Sequence, residues 1–121
     1  FGSPGSRDIA KRHMMGAAAA EHSRVVILTA DDPRNEDPGA IAEEIAAGAL
    51  AAGKTRDADL LIITDRRAAI RRAFELARPA DIVLLAGKGH EPTIAMKDGP
   101  RPWNEPEIAA EILGELGYSR R

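Results

Sequence analysis

Apolar residues fall along this chain in two alternating patterns. Short unbroken runs at Arg24–Ala30 (RVVILTA), Asp59–Thr64 (DLLIIT) and Asp81–Ala86 (DIVLLA) are rich in Val, Ile and Leu. Such runs predict strands of a sheet covered on both faces, where neither side of the strand meets water. Between them apolar positions recur every three or four residues, the period of a helix with one buried stripe. In Pro38–Ala52 the stripe is Ile41, Ile45, Ala49 and Ala52, with Glu43 and Glu44 turned outward. In Asp65–Arg78 it is Ala69, Ile70, Ala73, Phe74 and Ala77, set against Arg66, Arg67, Arg71, Arg72 and Glu75 on the solvent side. Asp65 is placed as that helix's N-cap and Pro79 as its stop. A first helix is predicted from about Asp8 to Glu21. A last one is predicted from about Asn104, with Ile108, Ile112, Leu113 and Leu116 on one side and Gly117 at its end. Thr93–Met96 followed by Lys97-Asp98-Gly99-Pro100 reads as a short strand and turn, in the manner of an edge hairpin. Alternating helices and strands with right-handed crossovers predict a mostly parallel α/β sheet with helices on both faces.

The chain's 121 residues match one domain of ordinary size, taken as 1–121. Its 23 alanines and four aromatic residues predict a thin core, in which small side chains let helices lie close on the sheet. A formal charge of −2 leaves no basic field to hold a polyanion, which argues against nucleic acid as a partner. No cysteine is present, which excludes thiolate chemistry and disulfides and accords with a reducing cytoplasm. The apolar runs are far shorter than the roughly 20 residues of a membrane span. The chain opens at Phe1-Gly2 without a methionine, so we expect a piece of a longer protein, its first strand missing or reduced to Phe1.

In open α/β sheets ligands collect at the carboxyl ends of strands. Three polar, glycine-containing loops are expected there. Gly2-Ser3-Pro4-Gly5-Ser6-Arg7-Asp8 precedes a helix and offers backbone freedom beside unpaired N–H groups, an anion site or else a tight turn capped by Asp8. It lacks a phosphate-loop lysine pattern. Asp31-Asp32-Pro33-Arg34-Asn35-Glu36-Asp37-Pro38 could grip the ammonium and carboxylate of an amino acid, or be a solvated turn whose Asp37-Pro38 starts the next helix. Gly87-Lys88-Gly89-His90-Glu91 places charge between flexible glycines and could close over a phosphate or an amino acid; a surface role for His90 is the alternative. His13 and His22 have no partner cluster and no serine stands in a nucleophile context, so neither a metal site nor a catalytic triad is assigned.

Taken in order, GSPGSRD-IAKRHMMG, TADDPRNEDP and DIVLLAGKGHE, with the later DRRAAIRRAF and WNEPE stretches, resemble the C-terminal domain of the UDP-N-acetylmuramoyl-tripeptide synthetases of the Mur ligase family. The resemblance covers nearly the whole chain. It implies a dinucleotide-binding-like (Rossmann-like) topology and an ATP-dependent, amide-forming ligase of cytoplasmic peptidoglycan synthesis. In such an enzyme the carboxylate of a UDP-N-acetylmuramoyl-dipeptide is phosphorylated and then attacked by the amine of a diamino acid: lysine, ornithine or diaminopimelate. ATP and magnesium would be held mainly by a central ATPase domain, and the nucleotide by another, both outside this chain. By itself the chain is therefore expected to lack ligase and ATPase activity. Carried over by position, Arg7, Asp32, Arg34, Gly87 and Glu91 correspond to the amino-acid site. Lys11, Lys88 and His90 are candidates for phosphate or inter-domain contacts. Asp32 stands where diaminopimelate-adding members usually have asparagine, which favours a bare ammonium, while the retained Arg34 favours the extra carboxylate of diaminopimelate. The alternative to a ligase domain is a freestanding α/β binding or interaction module.

Overall fold

Two of the three predicted strands form a parallel pair, β1 (Val26–Leu28) and β2 (Leu60–Ile62), with Val26 opposite Leu60 and Leu28 opposite Ile62. The computed structural model describes residues 1–6 and 8–118. Around the pair lie α1 (Ile9–His22), α2 (Pro38–Ala51) and α3 (Arg66–Leu76), followed by an antiparallel hairpin of β3 (Thr93–Met96) and β4 (Gly99–Pro102) and by α4 (Glu105–Glu115). No described helix is long and apolar enough to cross a membrane.

Val26, Leu28 and Leu60 point to one face and bury against Ile41, Ile45, Ala46 and Ala49 of α2. α1 packs on α2 through glycine. A Cβ on Gly16 would strike the Ile45 carbonyl, and one on Gly48 the His13 carbonyl, so the two backbones lie in direct contact. This is the thin, alanine-lined packing that the composition predicts. α3 covers the opposite face with Ala69 and Ile70 buried, and α4 adds Ile112.

The local signals act as read. Asp65 accepts from the Ala68 amide at 3.0 Å and Asp37 from the Ala40 amide at 2.8 Å ahead of Pro38. Asn104 caps α4 through the Glu107 amide. Gly117, at φ 89°, ends α4 in a left-handed turn, with its own amide on Gly114 and that of Tyr118 on Leu113. Asp8 departs from this pattern: it precedes α1 at φ 37° and its side chain makes no capping bond.

Two expectations are corrected. Asp81–Ala86 forms no strand: among the described residues no ladder partner lies beside it, and Ile82 and Leu84 are 93% and 81% exposed. A cleft of about 580 Å³ separates it from β1, lined also by Ala69, Ile70 and Ala73. At its rim Phe1 bonds to the other edge of β1 as a parallel strand would. Its amino group donates to the Ile27 carbonyl, and the Thr29 amide donates to the Phe1 carbonyl, on the edge of β1 that faces away from β2. The second correction is Arg66, which helical spacing puts in solvent and which is instead buried.

Candidate functional site

β1 runs directly into Asp31-Asp32-Pro33-Arg34, and the extended 81–86 segment into Gly87–Glu91, so both loops emerge at the same end of the sheet. Lys88 joins them. Its side chain is fully buried, and its ammonium donates to Asp32 Oδ1 and Glu91 Oε2, each at 2.8 Å, with Asp31 Oδ1 at 3.5 Å. Asp31, Asp32 and Glu91 lie close enough together to surround a cation, and the cation among them is this ammonium. Gly87 sits against Asp31 at φ 113°, where a Cβ would lie 2.8 Å from the Asp31 carboxylate. The hairpin closes the third side, where the Ala95 amide donates to Asp32 Oδ1 at 2.8 Å.

These contacts set the charge states. Burial alone would raise the Asp32 carboxyl, but the Ala95 amide and the Lys88 ammonium outweigh it and hold Asp32 below the usual aspartate range. Asp31 goes the other way, since its burial exceeds what Lys88 returns. Lys88 is raised: burial opposes its charge, and the hydrogen bonds to Asp32 and Glu91 overcome that opposition.

Arg34 stands beside this cluster at φ 53°, its amide on the Ala95 carbonyl and its Nη1 on the Gly5 carbonyl at 3.0 Å. Among the described residues it pairs with no carboxylate. Glu36, two residues on, is taken by the buried Arg12, which also holds Glu44 and the Pro4 carbonyl. The first loop lies flat on the second. The Gly5 amide donates to the Asp32 carbonyl at 2.7 Å, and Cβ atoms on Gly2 and Gly5 would run into the Thr29 and Pro33 carbonyls. Its glycines therefore serve loop-on-loop approach.

A family model described as "Mur ligase, glutamate ligase domain" matches residues 1–89. The chain belongs to the Mur ligase family. It is 53% identical over 118 residues to a UDP-N-acetylmuramyl-tripeptide synthetase of Roseiflexus sp. (strain RS-1), covering 98% of this chain and 23% of that protein. It is 47% identical to a UDP-N-acetylmuramoyl-L-alanyl-D-glutamate--2,6-diaminopimelate ligase of Solibacter usitatus (strain Ellin6076), with the same 98% and 23% coverage. A solved structure of a ligase of that second name superposes with a TM-score of 0.86 at 34% identity, over 98% of this chain and 24% of the other. The chain thus spans about a quarter of the length of these relatives and corresponds to the C-terminal domain of Mur ligases.

In this Mur ligase domain Asp32, Arg34, Gly87 and Glu91 come together at one end of the sheet. Arg7 lies outside the described residues. Lys11 is exposed on α1 and pairs with Asp8 at 3.3 Å, and His90 is exposed beyond the cluster. Sequence reasoning passed over Arg66 and Glu105, a buried pair beneath both loops. One signal for it existed: an arginine directly after an N-cap aspartate faces the positive end of its own helix, which calls for a compensating acid.

Proposed function

We propose that this chain is the amino-acid-binding domain of a longer ATP-dependent ligase that joins a diamino acid to UDP-N-acetylmuramoyl-dipeptide in peptidoglycan synthesis, in the cytoplasm. The observation that carries the reading is the pairing of a compensated acidic cluster with an arginine that no described carboxylate engages. A guanidinium with donors to spare suits a carboxylate bidentately, and a carboxylate cluster holding only one ammonium still favours a cation. The names of the relatives support the same substrate class.

Arg34 also bears on which diamino acid is used. Lys88 already gives Asp32 an ammonium partner within the protein, so the charge of Asp32 by itself does not select a bare side-chain ammonium. Arg34 then tips the balance to diaminopimelate, whose second carboxylate it would hold, with Asp32 and Glu91 beside the distal ammonium and Arg7 on the remaining carboxylate. Gly87 keeps the wall of the pocket free of a side chain.

ATP and magnesium are assigned to the central domain of the longer protein. Here Lys88 has its three N–H donors facing three carboxylates, and Lys11 and His90 stand apart from it on the surface. The test is steady-state kinetics of the full-length ligase with diaminopimelate, lysine and ornithine. A charge-assisted contact contributes about 1.5–3 kcal/mol, so Arg34→Ala should lower kcat/KM for diaminopimelate roughly ten- to a hundredfold. Arg7→Ala and Asp32→Asn should also weaken amino-acid use. Unchanged amino-acid dependence in all three variants would remove the site.

A further inference from the structure

Beneath the site, Arg66 at the start of α3 is side-chain buried to 3% exposure, and Glu105 at the start of α4 to 5%. They form a fork, Nε to Oε1 at 2.6 Å and Nη2 to Oε2 at 3.1 Å. Glu105 is braced by the Trp103 indole N–H at 3.3 Å and by the positive end of α4. Two of the three remaining N–H donors of Arg66 go to main-chain carbonyls: Nη1 to Ala30 at 2.9 Å and Nη2 to Ala86 at 3.1 Å.

The choice of carbonyls matters. Ala30 immediately precedes Asp31-Asp32, and Ala86 immediately precedes Gly87-Lys88. Among the described residues no ladder joins β1 to the 81–86 segment, and the Arg66 guanidinium bridges the ends of both directly. A planar guanidinium offers donors at fixed angles and can span both carbonyls while Glu105 holds its other edge; an ammonium has no such fork.

Resting on the amino-acid site proposed above, we propose that Arg66, clamped by Glu105, is a positioning residue for that site: it sets the spacing of the Asp31–Arg34 and Gly87–Glu91 loops without touching substrate. Loosening it moves Lys88 and Glu91 relative to Asp31, Asp32 and Arg34. The cost falls on capture of the diamino acid, and ATP and the nucleotide dipeptide are used as before.

The experiment compares wild type with Arg66→Lys and Glu105→Gln in the full-length ligase, measuring kcat and KM for each of the three substrates and the thermal midpoint. Arg66→Lys keeps the charge and loses the fork. We expect KM for the diamino acid to rise about tenfold, with KM for the other two substrates within about twofold of wild type. Glu105→Gln, which keeps the shape of its partner, should shift the same constant less, and it carries the test if Arg66→Lys does not fold. An unchanged diamino-acid KM in folded variants overturns the proposal, and so does an equal change in all three constants. Arg34→Ala in the same assay separates the two readings. If it leaves diamino-acid KM unchanged, the site itself is misassigned. If it raises KM while Arg66→Lys and Glu105→Gln do not, only the positioning role fails.

Discussion

Replacing Lys88 with methionine tests whether this lysine is a structural counter-ion or a surface cation awaiting a phosphate. Methionine fills nearly the same volume and removes the charge, leaving Asp31, Asp32 and Glu91 facing one another. The side chains of Asp31 and Asp32 are 10% and 18% exposed, whereas Glu91 is 47% exposed and can turn into water. Breaking a buried ion pair from one side costs about 3–5 kcal/mol, and partial exposure of the acids reduces that to about 2–4 kcal/mol near neutral pH. The pH dependence is the sharper signature. In wild type Asp32 is held below its ordinary value of 3.8, so its contribution is present above that value and is lost as pH falls through the depressed one. Without Lys88 the Asp32 carboxyl rises instead and that of Asp31, already raised, rises further, so both take up protons earlier and relieve their repulsion, and the deficit of the variant should shrink on acidification. Urea denaturation followed through Trp103, the single tryptophan, measures both stabilities at about pH 7 and about pH 4.5. A deficit under about 1 kcal/mol, or one that stays constant between those conditions, would refute the counter-ion role.

Two further outcomes are expected. Gly16→Ala or Gly48→Ala should lower the thermal midpoint by separating α1 from α2, at a cost of about 1–3 kcal/mol, whereas Gly114→Ala, which meets nothing, should stabilise by about 0.5–1 kcal/mol. Equal effects at the three glycines would contradict the close helix contact. Glu36, held at about 2 from 4.5 by the Arg12 side chain and the Ser6 amide, contributes stability present above 4.5 and lost as pH falls toward 2. Glu36→Gln should therefore flatten the acid limb of a stability profile; an unaltered limb would show that Arg12 finds its compensation elsewhere.

Much of this molecule was readable in one dimension because the signals are local. Asp37, Asp65, Asn104 and Gly117 act within a few residues of themselves, and helix period and apolar runs locate α2, α3, β1 and β2. The order of the three loops likewise pointed to the family, and Asp32, Arg34, Gly87 and Glu91 do converge. What needed the folded chain was every decision made between distant residues. Asp81–Ala86 has the composition of a strand, but a strand exists only where a neighbour completes its hydrogen bonds, and no local pattern supplies one. Arg66 has the spacing of a solvent-facing residue, yet Glu105, 39 positions away, and two carbonyls make burial of its charge tolerable. Lys88 looked like a loop cation open to phosphate, and it is the proximity of Asp31 and Asp32, 56 residues from it in the case of Asp32, that turns its charge inward. Propensity and period are properties of neighbours in sequence; the partner of a buried charge is chosen by the packing of elements, and only tertiary structure brings the two together.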